Sequence, residues 1–164
     1  DFIKKHCPKD MPLVGCGNLL NKFIVEELKP LIDKTFSTRA EREFTGCGGS
    51  SCGGTFSMSL FTEYPNTFGY CLSFSPAYCL YKKNTWMKMM NERMKTINKD
   101  SKVFLYSGDV GFEHKFLKPA VDTYKYLSKK GIKCDLIIDE KGIHHEKYWS
   151  KYFVPAMKTW LPKE

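Results

Sequence analysis

Gly46-Cys-Gly-Gly-Ser-Ser-Cys-Gly-Gly54 packs five glycines into nine residues, with nothing bulky or charged among them. So much glycine makes a poor helix or strand interior, and the backbone here must turn sharply, approach another group closely, or both. Three readings fit such a loop. Gly49-Ser50-Ser51-Cys52-Gly53 satisfies G-x-S-x-G, the strand-to-helix turn that exposes a nucleophilic serine, with Ser51 at its centre. A phosphate-cradling loop would end in Gly-Lys-Ser/Thr, yet no lysine occurs between Lys34 and Lys82. The third reading is a tight structural turn with no chemistry of its own.

Downstream of the loop, residues 55–62 carry Phe56, Met58, Leu60 and Phe61 and predict a buried helix, stopped by Tyr64-Pro65-Asn66. Residues 70–74 (Y-C-L-S-F) predict a compact strand, and 102–107 (K-V-F-L-Y-S) and 134–138 two more. Helices are expected over 86–97, whose methionines read as core filler, and over 116–128, which stops at Gly131. A last helix over 148–161 places Trp149, Phe153, Met157 and Trp160 on one buried side. Upstream, residues 1–18 read as an irregular lead-in. Residues 19–31 form an amphipathic helix with Leu20, Phe23, Ile24, Leu28 and Leu31 inward, kinking or finishing at Pro30. Helices alternating with strands at this spacing specify an α/β fold with a mostly parallel sheet, expected as a single domain over residues 1–164.

Composition narrows the functional classes. An apolar content of 42% excludes wholesale disorder. The net charge of +8 comes from lysines spread over what read as helix faces, not from a basic stretch interleaved with aromatics, so no nucleic-acid partner is expected. No segment approaches the length of a membrane span. The seven cysteines form no C-x-x-C pair and no zinc-like set with histidine, so neither metal nor cofactor is expected. Their number leans toward a secreted protein over a cytoplasmic one.

An elbow serine needs a histidine to take its proton and a carboxylate to orient that histidine. In α/β-hydrolases the chain order is serine, acid, histidine, each after a strand. Ser51, then Asp109 and Glu113 after the 102–107 strand, then His144 after the 134–138 strand, follow that order. His145, next door, offers a second imidazole.

The residues also resemble a branch of that fold, the putative-esterase family that contains enterochelin esterases and feruloyl and acetyl-xylan esterases. The resemblance runs through Phe23-Ile-Val-Glu-Glu-Leu-Lys-Pro-Leu-Ile-Asp33, Gly49-Ser-Ser-Cys-Gly-Gly54, Ser73-Phe-Ser-Pro-Ala77 and Gly142-Ile-His-His-Glu146 with Trp149. It covers roughly residues 18–161 and is similar to the C-terminal two-thirds of the family. It implies an α/β-hydrolase-like sheet lacking its N-terminal strands, and a serine esterase acting on a small-molecule or carbohydrate ester, such as a feruloyl or acetyl ester of a sugar. Ser51 becomes the nucleophile, His144 the general base, and the backbone N–H of Cys52 one oxyanion donor. The family's acid position falls on Gly111, with Asp109 and Glu113 two residues to either side and Asp109 ranked first.

Other departures shape the expectations. Gly46-Cys-Gly48 is a poor strand former where the family has an apolar strand, and Thr45 stands where arginine is usual. The family's central strands and the loop giving a second oxyanion N–H lie ahead of the matched part. A sheet without them has an unpaired edge, to be completed by a preceding segment or a partner chain. A competing reading is a non-catalytic α/β binding or scaffold protein, or an inactive fragment, in which neither Asp109 nor Glu113 reaches His144.

Overall fold

The computed structural model describes residues 16–81 and 84–160. The chain divides into two compact units, Asp1–Thr38 and Arg39–Glu164. Most of the expected lead-in lies outside the described residues, and a helix already begins at Gly17.

The first unit is one helical run: α1 (Gly17–Lys22), a π-helical segment (Phe23–Leu28) and α2 (Lys29–Thr35). Pro30, in the first turn of α2, neither ends nor breaks it. Proline has no N–H to donate and its ring crowds the carbonyl four residues back. The wider π turn just ahead of it accommodates both. Of the expected inward face, Leu20, Phe23, Leu28 and Leu31 are exposed, Leu20 at 46% and Leu31 at 60%, while Ile24 is half-buried. What fixes this unit among its described residues is local and polar: Lys29 Nζ lies 2.5 Å from Asp33, whose other oxygen accepts from Thr38 Oγ1 at 2.8 Å.

The second unit holds the α/β fold. In chain order it comprises β1 (Gly46–Ser50), α3 (Cys52–Glu63), β2 (Tyr70–Phe74), α4 (Thr85–Arg93), β3 (Lys102–Gly108), α5 (His114–Lys129), β4 (Lys133–Asp139) and α6 (Glu146–Trp160). The four strands lie in the order β1-β2-β3-β4, all parallel, and each connection carries a helix. Parallel strands covered on both faces need apolar residues throughout, and every residue of β2 is buried. Alternation along β2 and β3 then sorts the side chains. Leu72, Phe74, Phe104 and Tyr106 pack with Trp149 and Ala156 of α6, while Ser73, on the other face, donates its hydroxyl to the Gly54 carbonyl of α3 at 2.9 Å.

Three features differ from expectation. The glycine-rich Gly46–Ser50 segment is a strand, pairing residue for residue with β2 from Gly46↔Tyr70 to Ser50↔Phe74. A fully buried neighbour and the helix springing from its end override its poor intrinsic preference. Helix α4 stops at Arg93, where Thr96 Oγ1 donates to the Arg93 carbonyl at 3.0 Å, yet Met90 and Met94 remain in the core. Phe153, expected inward on α6, is 51% exposed. The far flank of α6 overhangs the glycine strand, which offers few side chains to meet it. Phe153, Val154 and β1 line a groove of about 710 Å³ there, beside a β1 edge with no strand partner among the described residues.

Candidate active site

The turn from β1 into α3 holds Ser51 at φ 56° and ψ −124°, a region costly for a residue with a side chain. Surrounding backbone bonds hold it there: Ser51 N–H donates to Phe74 O at 2.8 Å, and Ser51 O accepts from Ala77 N at 3.2 Å and Thr55 N at 3.1 Å. The crossing is tight enough that a Cβ on Gly49 would lie 2.7 Å from the Gly53 carbonyl carbon. Cys52 is the first residue of α3, so its N–H is among the first-turn donors for which the helix has no acceptor.

Two further strand ends meet this turn. Asp109 N–H donates to Asp139 O at 3.0 Å and Val110 N–H to Gly142 O at 3.1 Å, which extends the β3–β4 pairing past both strands. The approach leaves no room at Gly108, where a Cβ would collide with Gly142 O. Asp139 ties down the loop that follows: its carboxylate accepts from Tyr106 Oη at 3.4 Å, Tyr152 Oη at 3.2 Å and Lys141 N–H at 3.0 Å. Burial, reinforced by the Asp139 and Glu113 charges, pushes the Tyr106 phenol well above its ordinary range, so it stays a neutral donor.

The result is a three-residue relay. Ser51 Oγ lies 2.9 Å from His144 Nε2, and His144 Nδ1 lies 2.9 Å from Glu113 Oε1. Glu113 is fully buried, and its second oxygen accepts from Gly108 N–H at 3.2 Å with the Ser107 hydroxyl at 3.4 Å. A buried carboxylate is tolerable only with partners of this kind. The imidazole is boxed by rings: Phe116 stacks on it at 4.6 Å, while Phe112 at 5.5 Å and Trp149 at 5.0 Å meet it edge-on. Trp149 is itself fixed by its Nε1–H, which donates to Ser75 Oγ at 2.9 Å.

The carboxylate at His144 therefore belongs to Glu113 and not to Asp109, which the sequence ranked first. Asp109 leaves β3 into an exposed turn and pairs with His114 Nδ1 at 3.1 Å. Gly111, at φ +61°, lets the following 3₁₀ turn (Gly111–Glu113) double back and place Glu113 under the strand end. The contact is the one the scaffold reading expected to be missing. His145 faces its own loop, accepting from Lys147 N–H at 3.1 Å. Sequence reasoning missed Ser107, Asp139 and the packing of Phe116 on His144. Only the end of a strand at Asp139 signalled any of them. Among the described residues, no cluster of His, Cys, Asp or Glu is placed to hold a metal, no helix is long and apolar enough to cross a membrane, and Cys47, Cys52, Cys71, Cys79 and Cys134 are free thiols.

Comparison with known proteins gives the following. Residues 13–160 match the family described as "Putative esterase". The "Uncharacterized protein YbbA" of Bacillus subtilis (strain 168) is 28% identical over 154 residues, covering 88% of this chain and 58% of the relative. The structure of the BES protein from Bacillus cereus superposes with a TM-score of 0.78 at 20% identity, covering 95% of this chain and 60% of that one. The enterobactin esterase FES from Shigella flexneri superposes with a TM-score of 0.72 at 17% identity, covering 88% of this chain and 38% of that one. At these identities the structural likeness is one of fold, and this chain spans at most 60% of the length of these three proteins.

Proposed function

The chain belongs to the putative esterase family, and from that premise we propose that it is a serine carboxylic-ester hydrolase working through an acyl-enzyme on Ser51. The observation that carries this reading is the unbroken Ser51–His144–Glu113 relay, with 2.9 Å at each step.

The chemistry follows from the geometry. His144 Nε2 takes the Ser51 hydroxyl proton as Oγ attacks the ester carbonyl carbon, and Glu113 holds Nδ1 protonated so that Nε2 is free to accept. Negative charge gathers on the carbonyl oxygen, where the Cys52 N–H at the helix start is a fixed donor. The tetrahedral intermediate then collapses, its C–O bond to the alcohol breaks, and His144 returns the proton to the leaving oxygen. Water, deprotonated by the same nitrogen, attacks the acyl carbon; the bond from that carbon to Ser51 Oγ then breaks, His144 returns the proton to Oγ, and the acid leaves. The aromatic box keeps the imidazole in one orientation through both halves of the cycle.

For the substrate, the resemblance to feruloyl and acetyl-xylan esterases favours an acyl group carried on a sugar or polysaccharide. Hydrolysis of 4-nitrophenyl acetate by the full chain, reduced by at least three orders of magnitude in Ser51→Ala, is the expected result. Equal rates in the two proteins would refute the mechanism.

A further inference from the structure

One register row of the sheet gathers cysteines that the chemistry above does not use. Cys47 of β1 stands opposite Cys71 of β2, Cys71 opposite Val103 of β3, and Val103 opposite Cys134 of β4. Neighbouring strands lie about 4.8 Å apart, which puts the Cα atoms of Cys47 and Cys71 within the span of a disulfide. Cys134, two strands beyond Cys71 and so about 9.6 Å from it, is out of reach.

The two side chains also share a face. Cys47 Sγ donates to the Ser57 carbonyl of α3 at 3.3 Å. Ser73, two residues on from Cys71 and therefore on its side of β2, donates to the Gly54 carbonyl of the same helix at 2.9 Å. Both thiols thus lie between the sheet and α3. Burial, and after it the neighbouring Cys47 thiol, push the Cys71 thiol well above its ordinary range.

Access and need are distributed unequally between the two strands. Cys71 is wholly buried, whereas Cys47 is half-buried on a strand whose outer edge has no strand partner among the described residues. That strand has few side chains to hold it. On the α3 face it presents only Cys47 and Gly49, and on the other face Gly46, Gly48 and Ser50. The strand that delivers Ser51 to its turn is therefore held mainly by backbone pairing, with Cys47 as its one side chain against α3.

We propose that Cys47 and Cys71 are a redox site, a dithiol that a small disulfide such as glutathione disulfide closes into a cross-strand bond, stapling the elbow strand to β2. Cys47, the accessible partner, attacks one sulfur of the oxidant as its thiolate; a mixed disulfide forms and the first small thiol leaves. Cys71 then attacks the Cys47 sulfur, the bond to the remaining half of the oxidant breaks, and the second small thiol leaves. The protons given up by the two protein thiols pass to the two leaving thiolates, so that one protein disulfide is made and one small disulfide is reduced. Because burial disfavours the Cys71 thiolate, the second step is the slow one. The closed loop contains Ser51 and all of α3, and closing it removes freedom from the unfolded chain.

The test holds the folded full chain in glutathione buffers of increasing oxidation, traps the remaining thiols with N-ethylmaleimide, and reads non-reduced peptide maps and thermal melting. The expected result is a Cys47–Cys71 crosslink, reversed by dithiothreitol, with a melting temperature above that of the reduced chain by about 5 °C or more. Cys47→Ser, which keeps a donor for the Ser57 carbonyl, should lose both the crosslink and the shift, and Cys134→Ser should keep both. Glutathione retained on Cys47 with no link to Cys71, a link to a different cysteine, no reaction at all, or the expected link with unchanged melting would each overturn the staple. Neither readout is ester hydrolysis, so a failure of the esterase reading leaves this result standing.

Discussion

Glu113 Oε1 sits 2.9 Å from His144 Nδ1 although Glu113 is wholly buried beneath the end of β3. Its remaining oxygen is held by Gly108 N–H at 3.2 Å. A carboxylate so placed fixes the histidine's tautomer as well as its position.

Glu113→Gln keeps the side chain's shape but offers His144 Nδ1 an amide. With the wrong tautomer favoured, kcat for an ester substrate is expected to fall between about a hundredfold and ten-thousandfold with KM little changed. Asp109→Asn, whose carboxylate is spent on His114, should stay within twofold of wild type. Steady-state kinetics on the two variants, with thermal melting to check their folds, decides between the two carboxylates.

Gly49 and Gly53 face each other across the elbow but differ in the space around them. Gly49→Ala drives a Cβ to 2.7 Å from Gly53 backbone and should cost about 1–3 kcal/mol, as overpacking does. Gly53→Ala meets nothing within 4 Å and lies in α3, so it should be neutral or stabilising by up to about 1 kcal/mol. Urea denaturation of both measures the contrast.

Asp139 acts on the site only through the loop that carries His144. Asp139→Ala removes the acceptor for Tyr106, Tyr152 and the Lys141 N–H, and a loop displaced by about 1 Å can cost a hundredfold in rate. The loss should fall on kcat, and Asp139→Asn, which keeps one acceptor oxygen, should recover part of it.

Trp149→Phe leaves the ring but deletes the Nε1–H bond to Ser75, a residue with no exposure. Leaving that buried hydroxyl without its donor should destabilise the fold by about 1–3 kcal/mol, readable as a lowered urea midpoint.

Much of this arrangement was legible in the sequence, because its signals are local. Glycines at 49, 53 and 54 mark a turn whatever surrounds them, and the positions of Ser51 and His144 after successive strand candidates follow from chain order alone. Glu113 was not separable from Asp109, because the choice depends on the positive φ at Gly111, a single dihedral that composition does not report. The strand Gly46–Ser50 was illegible for the opposite reason: its stability comes from β2, which is distant in sequence. Helical spacing also misplaced Phe153 and the apolar face of the first unit. Periodicity shows that a helix has an apolar side, not that another element covers it.

The most direct test of the central claim is covalent labelling of the full chain with a fluorophosphonate, read by intact mass and peptide mapping. The account predicts one adduct per chain, on Ser51, and none on Ser51→Ala. A folded wild-type chain that takes up no label, or takes it up at another residue, would contradict it.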